Sequence, residues 1–316
     1  MKKFEVIELL RFIAALSVVF VHIPFIGIGD FGVDIFFIIS GFVMMLSTQI
    51  KYDKFFLKRL IRICPTYYLF TFGVFLIAIF SPHLLNNTTA DLTHLLKSLL
   101  FIPFDKNNGH YPILFLGWTL NYEMYFYFLF AICLKISHQY RGILTTLLIF
   151  AIWYVASNYN NFILNVYSNL IVFEFVLGIL LYIILIERSF KQSAIILITI
   201  VLVHLISTKG IDHRFYYYGL PAVILIYIIL KVFRKISLHK SIITLGGSSY
   251  ALYLTHPYII QLFDKTTHWF YGSAIEKISA LIISLILTNI FAIITFRFIE
   301  TPLILKLREK LIKHNK

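Results

Sequence analysis

Ten apolar stretches recur along the 316 residues, at roughly 6–26, 31–48, 63–81, 113–134, 143–157, 166–186, 194–207, 215–233, 242–262 and 278–299. Most approach about 20 residues, the length of helix that spans a hydrocarbon core. Backbone in lipid must satisfy its hydrogen bonds internally, so such stretches fold as helices. The expected fold is all-α, a polytopic membrane bundle of about ten transmembrane helices. The 143–157 and 194–207 stretches are short, so they tilt little or borrow flanking residues. Only 14% of residues are charged and 59% are hydrophobic, with a mean hydropathy of +0.85. Soluble domains carry about 25% charged residues. A soluble globule, a disordered chain and a disulfide scaffold are excluded.

The net charge of +13 at first suggests an anionic polymer as partner. The placement of the basic residues removes that reading. With the N-terminus inside, the inner segments hold 21 Lys and Arg. The outer loops hold six: Lys97, Lys106, Lys209, Arg214, Lys265 and Lys277. This bias predicts an N-in, C-in topology, and nucleic acid has no place in it. Glu5, Glu8 and Arg11 interrupt the first stretch and no small-residue cleavage site follows, so it reads as a retained helix rather than a signal peptide. Cys64 and Cys133 offer neither a disulfide framework nor a metal spacing and read as packing residues. No metal site is expected. No internal repeat is present. The outer segment 82–112 contains LTHLLKSLLFIPF, an amphipathic stretch suited to the membrane surface or to covering a cavity.

An ionisable side chain at depth costs at least ~2.5–3.5 kcal/mol and is a functional candidate by default. Arg11 and His22 lie eleven residues apart, which leaves a remainder of about 20° around a helix and about 16 Å along it. Both therefore project from one face, a fixed cation below a titratable imidazole. Asp34 opens the second stretch across the GIGDFG turn. It suits either a carboxylate orienting His22 or a first-turn acid favoured by the helix dipole. Ser40 and Gly41 in FFIISGF permit close approach of a ligand or of another helix. Arg59 and Arg62, in KRLIRICPTYY, share a helical face at the inner mouth. They fit a phosphate clamp, although inward-facing basic residues are expected there in any case.

Glu123, between Trp118, Tyr122 and Tyr125, pairs with an internal cation or imidazole or takes part in proton transfer. Ser249, Tyr253 and His256 form one polar stripe facing a cavity or a neighbouring helix. Glu174, His204 and Glu300 read as weaker candidates: Glu174 is flanked by apolar residues, His204 reads as structural or interfacial, and Glu300 as structural beside Pro302.

In their order, LLRFIAALSVVFVH, FGVDIFFIISGF, FFLKRLIRICPTYY, LGWTLNYEMYFY, FEFVLGIL, LGGSSYALYLTHP and FIETP resemble the acyltransferase 3 family of membrane O-acyltransferases. The resemblance runs from about residue 8 to residue 302. It implies a ten-helix enzyme of the cell membrane. Such an enzyme moves an acyl group, commonly acetyl, from cytoplasmic acyl-CoA to a hydroxyl of a cell-surface or lipid-linked glycan. Acetyl-CoA is then a donor substrate, and no permanently bound cofactor is expected. By motif, His22 is the catalytic histidine with Arg11 its functional partner. Arg11, Arg59, Arg62, Ser40 and Gly41 fall to the donor region; Glu123 and His256 fall to the active cavity, with Trp118, Tyr122, Ser249 and Tyr253 expected to line it. The expectation for the whole chain, 1–316, is a single integral-membrane acyltransferase domain without an appended soluble domain.

Two chemical routes remain open at this level: His22, oriented by Asp34 or Glu123, acts as general base, or it carries the acyl group transiently. A secondary transporter or flippase of a glycan or small anion is the rival class. It would also need intramembrane charges, but repeated halves with broken helices are not visible here.

Overall fold

A computed structural model of the protein describes residues 5–50, 52–85, 88–106, 109–207, 214–233 and 236–313. Lys2, Lys3, Lys51, Lys209, Arg234, Lys235 and Lys316, which enter the charge count, lie outside the described residues. Among the described residues the chain is helical throughout, with no strand. The first half comprises α1 (Glu5–Val21), α2 (Phe31–Ser47), α3 (Phe55–Phe80), α4 (Leu92–Leu99), α5 (Trp118–Ile136), α6 (Arg141–Ser157) and α7 (Phe162–Tyr167). The second comprises α8 (Val172–Tyr182), α9 (Phe190–Ile206), α10 (Leu220–Val232), α11 (Lys240–Gly247), α12 (Ser249–Thr267), α13 (Ala274–Thr295) and α14 (Thr301–Arg308). Wider π turns extend α8, precede α10 and join α13 to α14.

Each of the ten apolar stretches lies on a helix. Among the described residues, four helical segments are long and apolar enough to cross a membrane: Phe55–Phe80, Phe162–Glu187, Phe215–Val232 and Ala274–Ile312. The others fall short for physical reasons. Helices α2, α6 and α9 have 17 residues each, about 26 Å of rise against a core of about 30 Å. Helices α1, α5 and α12 carry the polar groups described below.

The bundle is built around α8, in which every residue from Val172 to Ile183 is buried. The rim helices show the reverse polarity of a soluble protein. On α13 the exposed row is Ile278, Ile282, Ile286, Ile290 and Ile294, while Ala280, Ser284, Thr288 and Ala292 face inward. Small and hydroxyl-bearing residues let neighbouring helices approach, and large apolar ones meet lipid.

Two glycine contacts set the helices that carry the site. Gly29, at φ 134°, lies against the Ser17 carbonyl, where a Cβ has no room, so α2 turns back tightly along α1. Gly41 and Gly178 meet where α2 crosses α8, each against the other helix's backbone. Helix α4 is capped by Asp91, whose carboxylate accepts from His94 N at 2.5 Å. It has two faces. Leu92, Leu96 and Leu100 are exposed, as a surface-lying helix requires, while His94 and Ser98 are buried. His94 Nε2 bonds Tyr111 O at 2.9 Å, and Ser98 Oγ accepts from Ile113 N at 2.9 Å. The amphipathic stretch thus clamps residues 111–113 in place. Cys64 and Cys133 are unpaired and packed against the core.

Candidate active site

Between α1, α2, α3, α5 and α12 lies an open cavity of about 910 Å³, counting its mouth. Arg11 of α1 and Arg59 and Arg62 of α3 line it, opposite Ser40 of α2 and Glu123 of α5. Each contributes by helical spacing: Thr119, Glu123 and Tyr127 recur every fourth residue and share one face of α5. Ser40 Oγ donates to Glu123 Oε1 at 2.9 Å, and Tyr127 Oη donates a short bond to the same oxygen. Glu123 is thereby fixed, with Oε2 left for a further donor.

Arg59 is held from three sides. It donates to Ser47 Oγ at 2.6 Å and lies over the rings of Phe55 and Tyr127, 5.2 and 5.5 Å from their centroids. Arg11 pairs with Glu8 at 3.4 Å. Glu300, on the π turn after α13, is buried within electrostatic reach of Arg62 and Arg11. Three guanidinium groups around one cavity form a site for an anion with several oxygens. At its far end the lining stops at Thr119 and Tyr253, whose hydroxyls are 3.0 Å apart.

One turn beyond Tyr253 stands the second centre. His256 Nε2 lies 3.1 Å from His22 Nδ1, the rings 4.9 Å apart and nearly perpendicular. His256 Nδ1 lies 2.9 Å from Leu252 O, and His22 Nδ1 lies 3.0 Å from Val18 O. A carbonyl only accepts, so in the neutral pair His256 Nδ1 carries its proton and Nε2 is an acceptor. His22 Nδ1, facing two acceptors, carries the proton of its ring. That leaves the lone pair on His22 Nε2, the arrangement of a general base. His22 is half-buried and His256 fully buried, so only the first ring reaches outside groups.

The structure brings together Arg11, Ser40, Arg59, Arg62, Glu123 and Tyr253 around the cavity, and His22 with His256 beyond it. It separates others. Asp34 is fully buried, and Arg214 donates to its Oδ2 at 2.7 Å. Its other neighbour is Glu174 of α8. The tight Gly29 turn aims this side of α2 toward α8 and the π turn before α10, so the partner of His22 is an imidazole and not Asp34. Glu123 likewise bonds Ser40 and Tyr127 rather than His22. Gly41 faces α8 and serves helix contact, while its neighbour Ser40 faces the cavity.

Trp118 and Tyr122, expected in the cavity, lie on the adjacent face of α5. They pack edge-on to His110 at 5.6 and 5.8 Å, and Tyr122 Oη donates to Val166 O. Burial pushes the imidazoles of His110 and His94 below their ordinary value, which favours their neutral forms. Ser249 is buried away from the lining, and Tyr250 takes its place there. His204, on the rim, bonds Tyr216.

Tyr127, Tyr250 and Thr119 were not anticipated. The four-residue spacing of Thr119 and Tyr127 about Glu123 was the available signal. Arg214, counted as an outer-loop charge, reaches inward to Asp34.

A family model described as an acyltransferase domain matches residues 4–297. The "Exopolysaccharide production protein ExoZ" of Rhizobium meliloti (strain 1021) is 31% identical over 255 residues, covering 75% of this chain and 78% of that protein. A protein of Acidianus two-tailed virus named "Putative acetyltransferase ORF330" is 26% identical over 276 residues, covering 78% of this chain and 80% of its own length. No solved structure matches the chain. The family match spans both the guanidinium cavity and the histidine pair, and the chain belongs to the acyltransferase 3 family.

Proposed function

We propose that the protein is an O-acyltransferase crossing the cell membrane ten times with both termini inside. It moves an acyl group, acetyl by family resemblance, from cytoplasmic acyl-CoA to a hydroxyl of a cell-surface or lipid-linked glycan. The name of the Rhizobium relative supports a polysaccharide acceptor. The carrying observation is that α1 presents Arg11 to a cation-lined cavity, and the turn that directly follows it presents His22 to His256 beyond.

The donor's phosphates sit on Arg62 and Arg11 at the mouth, with Arg59 held ready by Ser47 and two aromatic faces. Its thioester arm runs outward past the Thr119–Tyr253 contact toward His22. There His22 Nε2 takes the proton of the acceptor hydroxyl as the oxygen attacks the thioester carbonyl. The C–O bond forms, the C–S bond breaks, and the thiolate leaves to take a proton. His256 acts through His22 by fixing its tautomer. Glu123 sits below this point and orders the cavity wall, while Asp34 stays outside the proton path.

The test uses purified protein in detergent, supplied with acetyl-CoA and saccharide acceptors from the host envelope. CoA release coupled to acylated saccharide is expected, and lost in His22→Ala. Normal transfer by that variant would sink the base assignment. Solute flux across proteoliposomes without CoA release would instead support a transporter. Mass spectrometry of surface glycans with and without the gene identifies the acyl group and its acceptor.

A further inference from the structure

We propose that Tyr111 and Phe115 form a saccharide-stacking subsite that presents an acceptor hydroxyl to His22; this rests on the acyl-transfer reading above. Phe115 stands edge-on to the His22 ring with centroids 6.1 Å apart, and Tyr111 lies 4.8 Å from Phe115. Both rings are exposed, at 41% for Tyr111 and 37% for Phe115, and Phe115 stands directly beside His22.

Their exposure is not that of a loose loop. The short segment carrying them is tied at three points: Tyr111 O to His94, Ile113 N to Ser98, and Phe115 N to Tyr258 Oη at 3.1 Å. Two buried groups of α4 and one tyrosine of α12 thus hold two aromatic faces still in the open. Rings that are exposed yet tied in place offer a ligand a preformed face. Rigidity in the uncovered state is what a binding surface needs, because little ordering then opposes binding.

The chemistry of the pair selects a pyranose. An aromatic face is electron-rich and meets the weakly positive axial C–H face of a sugar ring. The equatorial hydroxyls then point outward around the rim. The Tyr258 hydroxyl, bonded to Phe115 N, fixes the backbone beside the pair. His22, edge-on to Phe115, is the acceptor of the reacting hydroxyl proton in this reading. No charged side chain is needed for such stacking, which suits a neutral sugar.

A membrane-interface aromatic belt is the competing account of exposed Tyr and Phe on this side, and variants separate the two. The full protein in detergent is titrated with methyl glucopyranoside, galactopyranoside and mannopyranoside, and saturation transfer to the sugar protons is recorded. Transfer concentrated on one face of a pyranoside is expected. It weakens about three- to tenfold in Phe115→Leu and Tyr111→Leu, which keep apolar bulk but lose the π face. It persists in Phe115→Trp. Tyr159→Leu, on the exposed turn between α6 and α7, leaves it unchanged.

No transfer to any pyranoside, or equal transfer in Phe115→Leu, overturns the proposal and assigns the pair to the belt. The same variants are assayed for CoA release. Undiminished acyl transfer with an unchanged acceptor KM in Phe115→Leu removes the subsite and leaves the enzyme reading intact. Sugar binding lost in Phe115→Leu, in a protein that never releases CoA, keeps the subsite and removes the acyl-transfer reading.

Discussion

The inner cavity and the outer histidine pair both hold polar groups among apolar helices, yet they are built on opposite principles. The cavity gathers formal charge: three arginines and Glu123, with Arg59 and Glu123 braced by hydroxyls and Arg59 also by aromatic faces. The hydrogen bonds of the pair go to no carboxylate. Its two rings are satisfied by the carbonyls of Val18 and Leu252 and by each other. Charge is useful where a polyanionic donor docks, because guanidinium groups replace the water around phosphates. A base that must take a proton near neutral pH is better served by neutral dipoles, since a fixed adjacent carboxylate would hold the proton it should release. The Thr119–Tyr253 contact marks the boundary between these two environments.

Breaking the outer centre is expected to have the largest effect. His22→Ala lowers the transfer rate by roughly 10²–10⁴-fold, the span that general-base catalysis supplies. Binding of acyl-CoA, measured by titration, stays near wild type because the cavity is intact. Next in size is a loss that belongs to neither centre. Asp34→Asn weakens the buried pair with Arg214 and lowers stability by about 3 kcal/mol, read from unfolding in detergent. The KM values of the protein that remains folded are unchanged; a collapse of kcat with stability intact would return Asp34 to the proton path.

Arg59→Ala acts on the inner centre alone. It raises the KM for acyl-CoA about tenfold or more, as loss of a charge-assisted contact of about 1.5–3 kcal/mol requires. The acceptor KM holds. The smallest effect is expected from His256→Phe, because Val18 O still accepts from His22 Nδ1. The value of kcat falls on the order of fivefold while both KM values hold. A rise in either KM would make His256 a binding residue rather than a positioning one.

Much of this organisation is legible along the chain. The helices follow from apolar runs, and the scarcity of charge leaves few ionisable groups to consider. The eleven-residue spacing puts Arg11 on α1 and His22 one residue past its last turn, the first at the cavity and the second at His256. Periodicity assigns faces, however, and not neighbours. Trp118 and Tyr122 surround Glu123 in sequence but turn away from the cavity, whereas Thr119 and Tyr127 turn into it. Asp34 is a short turn from His22 along the chain, yet its carboxylate is drawn to an arginine 180 residues on.

What the sequence by itself determined is the solvent and the inventory. Lipid admits helices and few charges, so composition selects a membrane bundle and singles out Arg11, His22, Glu123 and His256. What only the tertiary structure decided is the pairing: Ser40 with Glu123 across 83 residues, and His22 with His256 across 234. Hydrogen bonds form at about 3 Å between whichever groups the packing brings together. Here that packing depends on close helix crossings such as Gly41 against Gly178, whose effect on distant side chains no local pattern records.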